Sequence, residues 1–310
     1  MFGHLRKRSL PRLNWSRSEV DPEALREYDA FGPWLLPIKS DSEMPRRFRS
    51  AYPGLQEADY LIKIPRSIDR RDAYPGGDLY GAVFALDDDG FTFLTAGEGP
   101  EDFVSRHVIW DDVAAVRTVN NLLHADFVLL LKEGDALTVT YNSSSADLMT
   151  RIVAFSRQHF VEPDDFAYGS NKQAEEFEDF FFNAMLAEER HGGQFMLPIH
   201  FEMPGRSCRN AQNRRRVTTG LLFLLSGGEL IVIDRDVPMR RRFFAHNVYR
   251  RTYLSLKSIR AFRLQEPPGA MPGHFTMLEL IIEQQRLGIP CFKAPDRVID
   301  VLKHHGVPQL

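Results

Sequence analysis

The stretch Leu79-Tyr-Gly-Ala-Val-Phe-Ala-Leu86, Asp87-Asp-Asp-Gly90, Phe91-Thr-Phe-Leu94 returns later in the chain as Thr218-Thr-Gly-Leu-Leu-Phe-Leu-Leu225, Ser226-Gly-Gly-Glu229, Leu230-Ile-Val-Ile233. At a constant offset of 139 residues Gly81 falls on Gly220, Phe84 on Phe223, Leu86 on Leu225 and Pro65 on Pro204. Each copy reads as strand, tight turn, strand, because turn residues carrying Gly separate two runs rich in β-formers. A chain that repeats itself must be read one copy at a time, since the repeat is the structural unit.

Working outward, the match continues with small changes of offset, as expected where loops differ in length and strands persist. Val108 to Thr118 aligns with Leu254 to Leu264, Phe127 to Leu131 with Leu278 to Ile282, and Leu137 to Tyr141 with Leu287 to Cys291. The first copy gives strands over 59–64, 80–87, 90–96, 105–110, 113–119, 126–132 and 136–141. The second gives 196–203, 218–226, 229–234, 252–256, 259–264, 275–283 and 287–292. A helix closes each copy. Leu148, Met149, Ile152, Val153 and Phe155 recur at helical spacing behind the N-cap candidates Ser144 and Ser145. Val298, Ile299, Val301 and Leu302 follow Pro295, with Gly306 placed to stop the second helix.

Seven strands and a terminal amphipathic helix, twice over, resemble the pleckstrin-homology-like superfold of bacterial type, a bent antiparallel barrel plugged by its C-terminal helix. The resemblance covers roughly residues 59–160 and 196–306 and rests on element order. It implies a mainly β (α+β) chain of two tandem seven-stranded rolls. The expected divisions are an N-terminal arm with a short helix (1–58), repeat 1 (59–160), a connecting helix (161–195) and repeat 2 (196–310). The arm helix is expected from Asp21-Pro22 to Gly32. The connecting helix is expected from about Asn171 to Arg190, with Phe177, Phe180, Phe181 and Met185 on one face and Glu175, Glu176, Glu178, Asp179, Glu188 and Glu189 opposite. A second register competes with the offset of 139: Leu36-Pro-Ile38 with Glu43-Met-Pro45 echoes Leu197-Pro-Ile199 with Glu202-Met-Pro204.

The 310 residues are 43% hydrophobic and 26% charged, which excludes disordered, collagenous and disulfide-miniprotein classes. The net charge of −3 is a cancellation. Repeat 1 carries 9 basic against 16 acidic side chains, the connecting segment 2 against 9, and repeat 2 carries 18 against 9. Only two cysteines, Cys208 and Cys291, argue against an oxidising compartment, and a cytoplasmic location is expected. No apolar run approaches the length of a membrane span or a secretory signal.

The chemistry-bearing candidates are arginines. Arg206, Arg209, Arg214, Arg215 and Arg216 lie between the first two strands of repeat 2, and guanidinium groups grip phosphate bidentately. Many phosphoinositide-binding pleckstrin domains carry a basic residue, a gap, then basic-any-basic in this loop. Arg206, Arg214 and Arg216 resemble that arrangement, with Arg in place of the leading Lys. Arg240, Arg241 and Arg242, with Arg250 and Arg251, form a second group among Phe243, Phe244 and Tyr249. Arginine beside aromatics suits nucleobase stacking, but the chain lacks the basicity of a dedicated nucleic-acid binder.

Enzyme-like fragments dissolve on inspection. Leu225-Ser-Gly-Gly-Glu229 shares its form with the signature loop of transport ATPases, yet the Gly-rich phosphate loop is missing and the repeat makes it a hairpin turn. Arg66 and Arg70 have PilZ-like spacing without the downstream partner motif. His191, His200 and Cys208 form no compact zinc pattern. Asp87 to Asp89 suits a turn. The expectation is therefore a non-catalytic, cofactor-free binding or scaffolding protein with a protein partner, possible self-association among its modes. The alternative is an anion-binding module for an acidic lipid headgroup or phosphorylated ligand, and an enzyme is the remotest reading.

Overall fold

The structure is a computed structural model, in which the described residues are 16–99, 101–161, 177–190, 196–203, 207–209, 215–217, 220–236, 248–265 and 276–310. The described residues are mainly β with five α-helices, and the chain divides into two compact units, Met1–Val108 and Ile109–Leu310.

In the first unit α1 (Pro22–Ala30) starts where Asp21 accepts a hydrogen bond from the Ala24 amide at 3.1 Å, with Pro22 pre-set for the first turn. After β1 (Leu36–Pro37) comes a short helix, α2 (Tyr52–Leu55), and then β2 (Tyr60–Pro65), β3 (Tyr80–Leu86), β4 (Gly90–Ala96) and β5 (Phe103–Ile109). These form one antiparallel sheet in the order β1-β2-β3-β4-β5. The β3–β4 turn uses Asp87, whose carboxylate accepts from the amides of Asp89 and Gly90, so the aspartate run is turn chemistry as expected. Met44, Phe48, Leu61, Val83, Ala85 and Leu94 make the core on one sheet face.

In the second unit β6 (Val113–Asn121), β7 (His124–Leu131) and β8 (Ala136–Asn142) form a meander closed by α3 (Ala146–Phe160). Then follow α4 (Phe180–Arg190), β9 (Leu197–Glu202), the ribbon of β10 (Ser207–Arg209) and β11 (Arg215–Val217), and β12 (Gly220–Ser226), β13 (Glu229–Asp236) and β14 (Val248–Ser255). A final meander of β15 (Ala261–Gln265), β16 (Thr276–Ile282) and β17 (Gln285–Cys291) ends in α5 (Asp296–His304). The β12–β13 turn places Gly227 and Gly228 at φ 47° and 91°, the conformation a two-residue hairpin demands and only glycine adopts freely.

The largest sheet has the order β8-β7-β6-β14-β13-β12-β9. Its seven strands are not those of one repeat: three come from the first and four from the second. The join is antiparallel pairing of β6 with β14, from Val248 opposite Asn121 to Leu254 opposite Ala115. The compact units consequently do not coincide with the sequence repeats. Leu221 to Leu225 and Leu230 to Ile233 are buried on both sheet faces, which is why they read as continuous apolar runs and not as alternation. One face packs Phe223, Leu225, Leu230 and Val232 against Phe262, Leu278, Leu280, Val298 and Leu302.

The competing registers are decided by pairing. β2 and β9 hold equivalent places beside β3 and β12, but Ile62 lies opposite Phe84 and His200 opposite Phe223, an offset of 138, so the offset of 139 that set Pro65 on Pro204 is not kept on this strand, and Pro204 itself lies outside the described residues. Leu36-Pro37 is instead a separate edge strand on β2, so its likeness to Leu197-Pro198 is coincidental.

Candidate functional site

The arginines singled out in the sequence are only partly placed. Arg206, Arg214, Arg240, Arg241 and Arg242 lie outside the described residues. Arg209, Arg215 and Arg216 belong to the β10–β11 ribbon, whose register sets Arg209 directly opposite Arg215 and Cys208 opposite Arg216. Of the second group, Arg250 and Arg251 are consumed internally. Arg250 Nε donates to Asp234 Oδ1 at 2.7 Å across β13–β14. Arg251 enters a buried ionic cluster that sequence reasoning missed.

That cluster joins four elements. Arg157 on α3 grips Glu229, the first residue of β13, with both ends of its fork: Nε to Oε1 at 2.9 Å and Nη2 to Oε2 at 2.6 Å. Its Nη1 reaches Glu189 Oε2 on α4 at 3.3 Å, and its guanidinium lies 4.4 Å over the Tyr253 ring on β14. The Tyr253 hydroxyl donates to Glu189 Oε1 at 2.8 Å. Arg251 Nη1 stands 3.4 Å from the same oxygen, and its Nη2 bonds Glu188. Arg251 and Tyr253 share one side of β14 because strand side chains alternate.

Burial disfavours the Arg157 cation, but the Glu229 carboxylate beside it more than compensates and holds its pKa above the ordinary value. Arg251 behaves likewise, with burial opposed by Tyr253 and Glu189. Burial also raises the Glu229 carboxyl against the pull of Arg157. Of the two partners, Arg157 decides the charge state, since a guanidinium does not deprotonate and its bidentate contact favours a carboxylate. Burial and then Glu189 push the Tyr253 hydroxyl far up.

Three expectations for α4 are corrected here. The described helix begins at Phe180, capped by Asp179, whose Oδ1 accepts from the Phe181 and Phe182 amides; residues 177–179 are not helical, and 171–176 lie outside the described set. Phe180 is 88% exposed, whereas Phe182 is fully buried against Phe201. Glu189, expected on the solvent face, is buried, because two arginines and a tyrosine hydroxyl replace its hydration.

A third buried carboxylate, Glu202 at the end of β9, accepts from the amides of Phe292 and Lys293 at 2.8 and 3.1 Å and from His200 Nε2 at 2.9 Å. It fastens the segment entering α5. Cys291 beside it is buried, and burial followed by the Glu202 charge keeps its thiol protonated. In the first unit Lys63 is buried, donates to the Glu43 carbonyl at 2.8 Å and lies over the Tyr80 ring, and burial lowers its pKa. The Tyr80 hydroxyl is buried without a partner.

The Arg157 and Glu202 clusters hold their elements together as clamps, although Arg251 Nε in the first is buried without a hydrogen-bond partner. Among the described residues no group of three or more His, Cys, Asp or Glu is placed to hold a metal ion, and no helix is long and apolar enough to cross a membrane. Comparison with protein-family models and with curated proteins finds no match to this chain.

Proposed function

We propose that this chain is a non-catalytic binding or scaffolding protein built from two duplicated pleckstrin-homology-like units and acting through protein–protein contacts. The duplication is supported by pairing order. A four-stranded meander (β2-β3-β4-β5), a three-stranded meander (β6-β7-β8) and a helix (α3) are followed by β9-β12-β13-β14, β15-β16-β17 and α5.

The observation that carries the functional reading is the β6–β14 join, where an edge strand from each copy is bonded over seven residue pairs. Adding a strand to a free edge is a general way for β-domains to take up protein partners, and this chain already uses it on itself. Affinity capture with the full chain from lysate of its source organism tests the reading. The expected result is a reproducible, stoichiometric protein partner; none at either low or moderate salt refutes it.

The anion-binding alternative is supported by the density of arginine from Arg206 to Arg216 in the sequence, a residue type that grips phosphate bidentately. Replacing Arg214, Arg215 and Arg216 with Ala should then abolish binding to anionic liposomes or phosphorylated ligand; binding unchanged by the substitution, or none in the parent at low salt, removes this reading.

A further inference from the structure

Among the sheet edges of the described residues, β8 is the one left undefended. Free edges invite pairing with other chains, and proteins blunt them with charged side chains, proline, bulges, shortness or cover. β9 carries Pro198 and a register irregularity against β12. β17 carries Pro290 and Arg286, β5 carries Arg106, and β1 is two residues long with Pro37. β15 is covered by the chain's own end: the Phe262 amide donates to the Pro308 carbonyl at 3.0 Å and the Leu310 amide to the Phe262 carbonyl at 2.9 Å. β8, Ala136-Leu-Thr-Val-Thr-Tyr-Asn142, is seven residues long, regular in its pairing with β7, and has no charge and no proline. Ala136, Thr138 and Thr140 are exposed, and no described backbone hydrogen bond reaches these residues from the side away from β7.

A second feature lies at the same place. The β6–β7 turn carries Leu122 and Leu123, 65% and 67% exposed, with Leu122 at φ 52°. Leucine in the left-handed region is strained, and strain that persists marks surfaces kept for function. Ser143, next after β8, ties this tip to the edge: its amide donates to the Leu123 carbonyl at 3.0 Å and its hydroxyl to the Leu122 carbonyl at 2.6 Å.

We propose that β8 pairs with β8 of a second copy of this chain, antiparallel about a two-fold axis at Val139. The strand is its own complement in that register. Thr138 meets the partner copy's threonine at position 140, Leu137 meets its tyrosine at 141, and Val139 meets itself. Thr–Thr and apolar–aromatic cross-strand pairs are favourable, and the absence of charge removes the repulsion that normally forbids self-pairing. A C2 contact needs this self-complementarity, whereas a partner of unlike sequence does not require it. The leucine tips then lie at the two ends of the joined strands. The proposal deepens the scaffolding reading by naming the partner, and it rests on that reading's use of sheet edges.

Sedimentation equilibrium of the full chain tests it. The parent should weigh twice 35.6 kDa at micromolar concentration. A variant with Thr138→Lys and Thr140→Lys, both exposed positions, should keep its thermal midpoint and become monomeric, with dimer affinity reduced at least about 100-fold by juxtaposed like charge. A Thr138→Glu and Thr140→Glu variant should also be monomeric alone, and mixing the two variants should restore a dimer. A monomeric parent, a lysine variant that stays dimeric, or a mixture that does not associate overturns the proposal. A monomeric parent that still captures a protein from lysate overturns self-pairing alone and leaves the scaffolding reading standing. A parent that dimerises as described while capturing nothing upholds the β8 pairing and overturns the wider scaffolding reading.

Discussion

Replacing Arg157 with Met is the sharpest perturbation of the second unit. The side chain fills similar space along α3 but leaves Glu229 and Glu189, whose side chains are 6% and 3% exposed, facing each other without their shared cation. Removing one partner of a buried pair costs about 3–5 kcal/mol, because the remaining charge is neither hydrated nor paired. Against a total stability of roughly 5–15 kcal/mol that is a large fraction, and for a unit of this size it lowers the midpoint by about 6–20 °C. Urea titration monitored by far-ultraviolet circular dichroism reads it directly. The double variant Arg157→Met with Glu229→Leu should recover much of the loss, since an apolar pair of similar volume can replace a buried ion pair at little cost. A double-mutant cycle then gives a coupling of about 2–3 kcal/mol. A loss below about 1 kcal/mol for Arg157→Met, or additive single effects, refutes the clamp, since about that little is what exposed ion pairs contribute.

Four further outcomes follow from the same packing. Tyr80, Tyr249 and Tyr253 have hydroxyl pKa values raised by burial, and Tyr141 is pushed up to about 12. Their stabilisation is complete below the unfolded value near 10 and declines as pH rises through the folded values. The slope approaches about 1.4 kcal/mol per pH unit for each tyrosine fully protonated only in the folded state, so phenolate absorbance should rise in step with cooperative unfolding; non-cooperative ionisation of all nine tyrosines contradicts this. Glu202→Ala removes the acceptor of the part-buried Phe292 and Lys293 amides and should cost about 1–3 kcal/mol by thermal melting; near neutrality contradicts the cap. Tyr80→Phe removes a hydroxyl that is buried without a partner and should be neutral or stabilise by up to about 1 kcal/mol; a clear loss would mean the hydroxyl is bonded. Leu122→Gly relieves a positive φ and should stabilise the fold by about 1 kcal/mol in denaturant, and unchanged or lower stability contradicts the strain.

Element positions were legible because alternation, Gly-bearing turns and helical spacing are local. Ser226-Gly-Gly-Glu229 predicts its hairpin turn, and the structure sets Gly227 and Gly228 there. Strand neighbours were not legible. Periodicity says which face of β6 or β14 is buried but nothing about which edge meets which, so the repeats read as self-contained rolls although β6 bonds β14. The arginines divided for a similar reason. Arg251 and Glu189 each look like solvated charges in sequence, and only the packing of α4 on β14 brings them to 3.4 Å in a buried place. The acidic and basic segments therefore do meet within this chain, at Arg251 with Glu188 and Glu189.

Native-state hydrogen exchange on β6 and β14 tests the central claim that a sheet-edge pairing joins the β6–β8 meander to the later strands within the second unit. The amides of residues 115–121 and 248–254 should exchange together, at the free energy of global unfolding of the second unit. Fast exchange along β14 while β6 stays protected, or two separate opening energies, would contradict the join and with it the reading that this protein works through its strand edges.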